Sequence, residues 1–276
     1  MRNTWAVCWR EFKSFFITPV GYIIVGTYAV ISGLGFTASF LYHARSTQSP
    51  MDFQLEGVPD LEEFFLSPYL VFCGQLMLFI GPLITMRLLA EERNRGTIEL
   101  LLTHPLRDRD IIFGKYLASL MVALVLMVVV GAHLSTLLYY TDVEPAVLLL
   151  GLCAVFLVSA SFLSMGLFIS ALSRSQVTAA TATFAVWFVM FILGNLAADL
   201  PEVADFVSEV PPTLQTVATP LYSIFRTAAL ELPMDAHAAE MAQGVLRPQD
   251  VAYYVLSIAF FLFLTFRAFE TRKWRA

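Results

Sequence analysis

Six apolar runs, at residues 20–42, 69–89, 116–138, 147–172, 177–196 and 251–269, decide what this chain can fold into. A stretch of roughly 18 or more apolar residues is long enough to cross the hydrocarbon of a bilayer as a helix. Inside lipid every backbone N–H and C=O must be satisfied by the protein itself, and an α-helix does this within the segment. The pattern predicts an all-α integral membrane protein with six transmembrane helices. Composition agrees: 58% of the 276 residues are apolar and 14% are charged, whereas a soluble domain is about a quarter charged. The run that starts at Val20 is too long for the apolar core of a signal peptide, and no cleavage site follows it. It is expected to stay as the first span.

Charge sorts the connecting segments between two sides, because Lys and Arg accumulate in cytoplasmic loops. With the N-terminus inside, the inner segments hold Arg2, Arg10 and Lys13, then Arg87, Arg93, Arg95, Arg107, Arg109 and Lys115. They also hold Arg174, and finally Arg267, Arg272, Lys273 and Arg275, which makes 14 of the 17 basic residues. Only Arg45, Arg226 and Arg247 fall outside. Both termini are therefore predicted to be cytoplasmic. The outer side, chiefly loops 43–68 and 197–250, collects 15 of the 22 acidic residues. Loop 43–68 is expected to be part helical near 60–66. Loop 197–250 is broken by Pro201, Pro211, Pro212, Pro220, Pro233 and Pro248. Its apolar piece 221–230 and alanine-rich piece 234–243 fall short of spanning length. They are expected as short helices that cap the outer face or dip back where protein covers their backbone.

Two inner elements stand apart from the spans. Residues 1–18 form an elbow: Trp5, Cys8, Trp9, Phe12, Phe15 and Phe16 recur at helical spacing on one side, with Arg10, Lys13 and Ser14 on the other. Pro19 ends that helix before the first span. A basic helix with an aromatic face suits the headgroup layer as a membrane-edge anchor; as an elbow it can also touch a cytoplasmic partner. The second element is the charged loop 91–115 between the second and third spans. Gly96 can end the helix descending from the second span, and Thr97 is placed to cap a new one. Glu99 puts a carboxylate in its first turn, where the helix dipole favours it. Ile98, Leu101 and Leu102 make a small apolar face, Pro105 closes the segment, and Asp108 is expected to cap the next helix. These residues read as a short docking helix for a soluble partner, and equally as a solvated loop with ordinary positive-inside charges.

The pattern Glu91-Glu92, Arg95-Gly96-Thr97-Ile98-Glu99-Leu100-Leu101, Pro105, Gly114-Lys115 resembles the cytoplasmic loop of ABC-2 type transporter permeases. The resemblance covers nearly the whole chain, from the elbow through six spans to the basic C-terminus, with residues 19–276 as the transmembrane domain. It implies a coupling helix that docks on an ATPase subunit through Arg93, Arg95, Gly96, Thr97, Ile98, Glu99, Leu101 and Leu102. The elbow residues Trp5, Trp9, Arg10, Phe12 and Lys13 belong to the same inner surface. Residues 244–254 (GVLRPQDVAYY) resemble the gliding-motility-type branch, although that branch tends to carry a His-Phe pair where this chain has Tyr222 to Phe225. The resemblance implies an exporter of the bacterial inner membrane. Its partners would be a cytoplasmic ABC ATPase dimer, a second permease copy or related permease, and the lipid bilayer, with no nucleic acid. ATP and Mg would be bound by the ATPase, because Gly114-Lys115 is followed by Tyr116 with no glycine-rich loop before it and is no P-loop. An alternative within the family is a force transmitter whose acidic outer loops work a periplasmic or membrane accessory partner.

No catalytic, cofactor or metal constellation is expected. His43, His104, His133 and His237 fall in an outer loop, an inner loop, a span and another outer loop, and neither GxSxG nor HExxH occurs. An integral-membrane enzyme thus finds little support. His133, beside Ser135 and Thr136, reads as a histidine bonded to a neighbouring helix or near outer water. Asn195 and Asp199 read as caps or loop contacts. Small residues at Ser159, Ser161, Ser164, Gly166, Ser170 and Ala171, and at Ala179, Ala180, Ala182 and Thr183, permit close helix packing. Cys8, Cys73 and Cys153 stand singly as small apolar fillers.

Overall fold

A computed structural model describes residues 2–53, 59–94, 107–141, 143–201, 212–235 and 237–273, and among them all regular structure is helical. The elbow is α1 (Arg2–Ile17). It stops because a residue that precedes proline is pushed out of helical geometry: Thr18 is extended at φ −91° and ψ 150°. Pro19 then takes the first position of α2 (Pro19–Gln48), where a missing N–H costs nothing. The second span is assembled from pieces. A π-helical turn at Glu62–Leu66 leads into α3 (Ser67–Gln75), and α4 (Met77–Thr85) follows after a turn at Leu76. Beyond a second break lies α5 (Ala90–Asn94).

The remaining spans are continuous: α6 (Asp108–Tyr140), α7 (Pro145–Leu172), α8 (Gln176–Ala198) and α11 (Pro248–Lys273). Between the last two lie α9 (Pro212–Glu231) and the short α10 (Ala238–Ala242). Among the described residues, six helical stretches are long and apolar enough to cross a membrane. Helix α6 is 33 residues long, roughly 50 Å, so it outruns the hydrocarbon and begins well ahead of the apolar run at 116–138. Asp108 and Asp110 sit in its first turn, where the dipole favours acids. Asp108 is the first residue of the helix, not its cap as the sequence suggested; Arg107 holds the cap position, with no side-chain cap bond.

The second and fourth spans form the centre. Their apolar windows are 67% and 61% buried within the chain, against 17% for the first, fifth and sixth spans. Helix α7 lies against α3, α4, α6, α8, α10 and α11, and its small residues allow this. Ser159 and Ser164 return their hydroxyls to carbonyls of their own helix, Val155 and Ser161, at 2.7 Å each. They therefore pack as small residues that need no partner. Of the fifth-span set, Ala179 and Thr183 are buried and Ala180 and Ala182 half-buried. His133 Nδ1 meets the Tyr69 hydroxyl at 2.8 Å, as the neighbouring-helix reading expects. The Tyr116 hydroxyl donates to the Ala160 carbonyl at 3.0 Å. Asn195 Nδ2 donates to the Phe191 carbonyl at 2.8 Å, and Asp199 follows α8 as its C-cap. Cys8 and Cys73 are buried fillers, while Cys153 is exposed on α7.

At the end of the bundle away from α1, the connector folds back onto the core. Helix α9 is 20 residues long, longer than its apolar piece, because Pro212 can open a helix and Pro220 is tolerated within it. Met234, Ala238, Met241 and Ala242 are buried where α10 lies against α3 and α7. The Tyr253 and Tyr254 hydroxyls hold the turn before it, donating to the Leu232 and Met234 carbonyls at 2.8 and 2.9 Å. His237 lies between the elements, with Nδ1 2.9 Å from Asp250 Oδ1 and Nε2 3.1 Å from the Glu231 carbonyl. Gly244, at φ +84°, turns the chain out of α10 in a conformation that L side chains rarely adopt.

Candidate functional site

The heart of the charged loop, Arg95, Gly96, Thr97, Ile98, Glu99, Leu101 and Leu102 with His104 and Pro105, lies outside the described residues. Arg93 falls on α5. What the structure describes is the pair of roots from which that loop grows, α5 and the start of α6, and the elbow that clasps them.

The centre of the clasp is Lys115, with a side chain only 1% exposed. Its ammonium lies 2.9 Å from Glu92 Oε1 on α5 and 3.3 Å from Glu11 Oε1 on α1. Arg10 closes the set, 2.7 Å from Glu11 and 3.6 Å from Glu92. A buried ammonium costs several kcal/mol unless it is paired, and two carboxylates from two different elements supply the pairing here. Burial alone would raise the Glu11 carboxyl, but the Lys115 ammonium and the Arg10 guanidinium outweigh it and hold it below the ordinary range.

Local sequence explains how α1 comes so close. Position 114 is glycine, and a Cβ there would stand 2.8 Å from the Val7 side chain and 2.9 Å from the Thr4 carbonyl. Any larger residue would push the elbow off α6. Val7, Cys8 and Phe15 are buried in this seam, and the Thr4 hydroxyl donates to Asp110 Oδ1 at 2.9 Å. The Gly-Lys pair that fails as a phosphate loop thus serves as a seat: glycine admits the helix and lysine pins it.

The other root is tied from three sides. The sequence suggested one helix running from the second span down to Gly96. Instead α4 ends at Thr85, and α5 starts afresh at Ala90. The break frees backbone donors, and α7 takes them up: the Leu89 and Ala90 N–H groups donate to Ser170 Oγ at 3.3 and 3.1 Å. Within the break Arg87 reaches Glu91 at 3.3 Å and donates to the Thr18 hydroxyl at 3.1 Å. Its guanidinium also lies 5.7 Å from the Phe15 ring. A crevice of about 320 Å³ runs between these groups, lined by Glu11, Ser14, Thr18, Arg87, Glu91, Glu92 and Lys115.

Of the elbow residues read from the sequence, Arg10 joins this cluster. Trp5 and Trp9 do not; they are 58% and 43% exposed, on the flank that faces away from the junction. Phe12 is half-buried, and Lys13 sits over the Trp9 ring. The single aromatic face expected from helical spacing is divided in two. Cys8 and Phe15 turn to the protein, while Trp5 and Trp9 turn outward. Sequence reasoning counted Lys115 as an inner positive charge and as part of the loop pattern, but did not pair it with Glu11 or Glu92. One signal was present: Glu11 is the sole acidic residue of the elbow, on the turn that follows Val7 and Cys8.

The arrangement fastens both roots of one loop to one amphipathic helix and, through Ser170, to the central helix. Among the described residues there is no group of three or more His, Cys, Asp and Glu side chains able to hold a metal ion. No curated protein matches the chain. A family model described as ABC-2 family transporter protein matches residues 5–274, from the elbow to the end of α11. With six spanning helices and a match that runs almost end to end, this multi-pass membrane protein belongs to the ABC-2 family of transporter proteins.

Proposed function

We propose that the chain is the permease subunit of an ATP-driven exporter, and that the elbow junction carries movement of loop 91–115 into the spans. In this reading both termini and the loop lie on the cytoplasmic face of a bacterial inner membrane, as the distribution of Lys and Arg requires. A separate ATPase dimer, binding ATP and Mg, docks on residues 93–102, and a second copy of the chain or a related permease completes the pathway. Placement in the gliding-motility-type branch rests on residues 244–254. The observation that carries the reading is Lys115 between Glu92 and Glu11, at 2.9 and 3.3 Å. A displaced α5 drags α1 through a buried ion pair, and drags α7 through Ser170. The ATPase supplies free energy only so far as it binds the two permease states with different affinity.

The test is co-purification of the tagged chain from its native membrane in mild detergent, wild type beside Glu99→Lys and Lys115→Met. The expected result is a P-loop ATPase retained by wild type and by Lys115→Met but lost with Glu99→Lys. In reconstituted complexes Lys115→Met is expected to hydrolyse ATP while export falls at least about tenfold. Absence of any ATPase from all three preparations would sink the proposal.

A further inference from the structure

The junction uses one flank of α1 and leaves the other unoccupied. Along that flank Trp5, Trp9, Phe12 and Phe16 follow one another, and Tyr22 of α2 continues the row, with ring centroids 6.4, 5.9, 5.1 and 5.7 Å apart. At the Phe16 end the row opens into a groove of about 420 Å³ between α1 and α6, lined by Phe12, Phe16, Ile17 and Val125, with Lys13 its one polar member. Val125 stands 17 residues into α6, roughly 26 Å from its start along the axis and inside the apolar run 116–138. The floor of the groove is therefore at the depth of acyl chains.

Lys13 points the other way. Its Nζ lies 5.2 Å from the centre of the Trp9 ring, one turn back towards the N-terminus of α1. A lysine beside lipid keeps its stem on apolar surface and carries its charge towards water in this manner. The neighbouring arginines are already engaged, Arg10 with Glu11 and Glu92 and Arg87 with Glu91. Among the described residues Lys13 forms no ion pair. The site thus has a deep apolar trough and an uncompensated cation at its shallow end, in the order of tail and head of an anionic amphiphile.

We propose that this groove binds one anionic phospholipid, its acyl chain against Phe12, Phe16, Ile17 and Val125 and its phosphate at Lys13. A zwitterionic lipid would fill the trough and also bring a phosphate, but its own cationic headgroup offsets that charge, so Lys13 gains less from it than from a lipid of net negative charge. A water-soluble ligand would have no polar group to meet at the floor. The bound lipid adds to the seat of α1, on the side that the buried ion pairs do not reach.

The test places the chain in nanodiscs with Trp9 as its single tryptophan (Trp5→Phe, Trp187→Phe, Trp274→Phe) and reads quenching by lipids brominated on the acyl chain. Phosphatidylglycerol and phosphatidylcholine are compared at equal mole fraction. The expected result is about a fivefold preference for the anionic lipid, the worth of one lysine beside anionic headgroups. Lys13→Gln should abolish the preference, and Val125→Trp, read by bound lipid count, should empty the groove. Equal quenching by both lipids, or a preference that survives Lys13→Gln, would overturn the proposal, as would a shielded Trp9 that neither lipid quenches because a second copy of the chain covers it. Should the tryptophan replacements impair folding, native mass spectrometry of the unaltered chain and Lys13→Gln keeps the question open to decision, since it counts retained phosphatidylglycerol directly.

Discussion

Lys115 is a buried cation held between two carboxylates from two different elements. Replacing it by methionine keeps the length and takes away the charge, leaving Glu11 and Glu92 on a buried face with Arg10 alone. Breaking a buried pair in this way costs roughly 3–5 kcal/mol, so Lys115→Met is expected to lower the detergent-resistant unfolding temperature clearly. Adding Glu11→Gln should recover part of that loss, because the mutual repulsion of two carboxylates goes with it. A double mutant as unstable as the sum of the singles would mean that the groups do not interact. Glu11 also gives the junction a pH signature. Its folded-state value lies below the ordinary 4.5, so it binds a proton more readily in the unfolded chain. Its contribution is fully present above 4.5 and is lost as pH falls through the lower folded-state value. Wild type should therefore lose stability below pH 4.5 more steeply than Glu11→Gln, measured by thermal unfolding across that range. Parallel curves would remove Glu11 from the account. None of this pairing could be read locally, because Glu11 and Lys115 are brought together by tertiary folding and an ion pair leaves no periodicity in sequence.

Elements differ in how much of them the sequence displays. The six spans were legible because hydropathy is a property of consecutive residues, and the Ile17–Pro19 corner because proline dictates the backbone before it. The division of the second span at 86–89 was not legible. Its freed amides are accepted by Ser170, 80 and 81 residues further along, and nothing near Leu89 announces a break. The elbow was half legible: spacing identified an amphipathic helix, but helical spacing cannot say which apolar residues meet protein and which meet lipid. The seat of that helix yields the prediction proper to this scale. Gly114→Val inserts a branched side chain where even a methyl would crowd Val7 and the Thr4 carbonyl, and overpacking of this kind costs about 1–3 kcal/mol. Helix α1 should detach while the six spans stay folded. Hydrogen–deuterium exchange should then rise in peptides covering 2–17 and remain unchanged in those covering α7. Unaltered protection of α1 would show that the elbow is held without the close approach at Gly114.

At the scale of the whole molecule, the uneven burial of the spans and the sorting of charge lead to one geometry. The second and fourth spans are surrounded by the rest of the chain, while the first, fifth and sixth expose most of their apolar residues. These three carry surface for lipid and, in the proposed assembly, for a second permease. An even number of crossings returns the chain to the side it left, so α1, loop 91–115 and the end of α11 share a face, and α9 and α10 share the other. In the proposed orientation, the excess of Lys and Arg places the first face in the cytoplasm. Gln243, exposed at the end of α10, and Thr97, inside the charged loop, are the two positions that separate this topology from its inverse. In a Cys153→Ser background, whose remaining cysteines are buried, Gln243→Cys in intact cells should react with a membrane-impermeant maleimide. Thr97→Cys should react only after the membrane is opened. The reverse pattern would invert the bundle, and with it the face on which any ATPase could dock. Labelling of both positions in intact cells would mean an even number of crossings between them, so that one of the three apolar stretches from 108 to 198 does not span or the fold-back of α10 crosses the membrane.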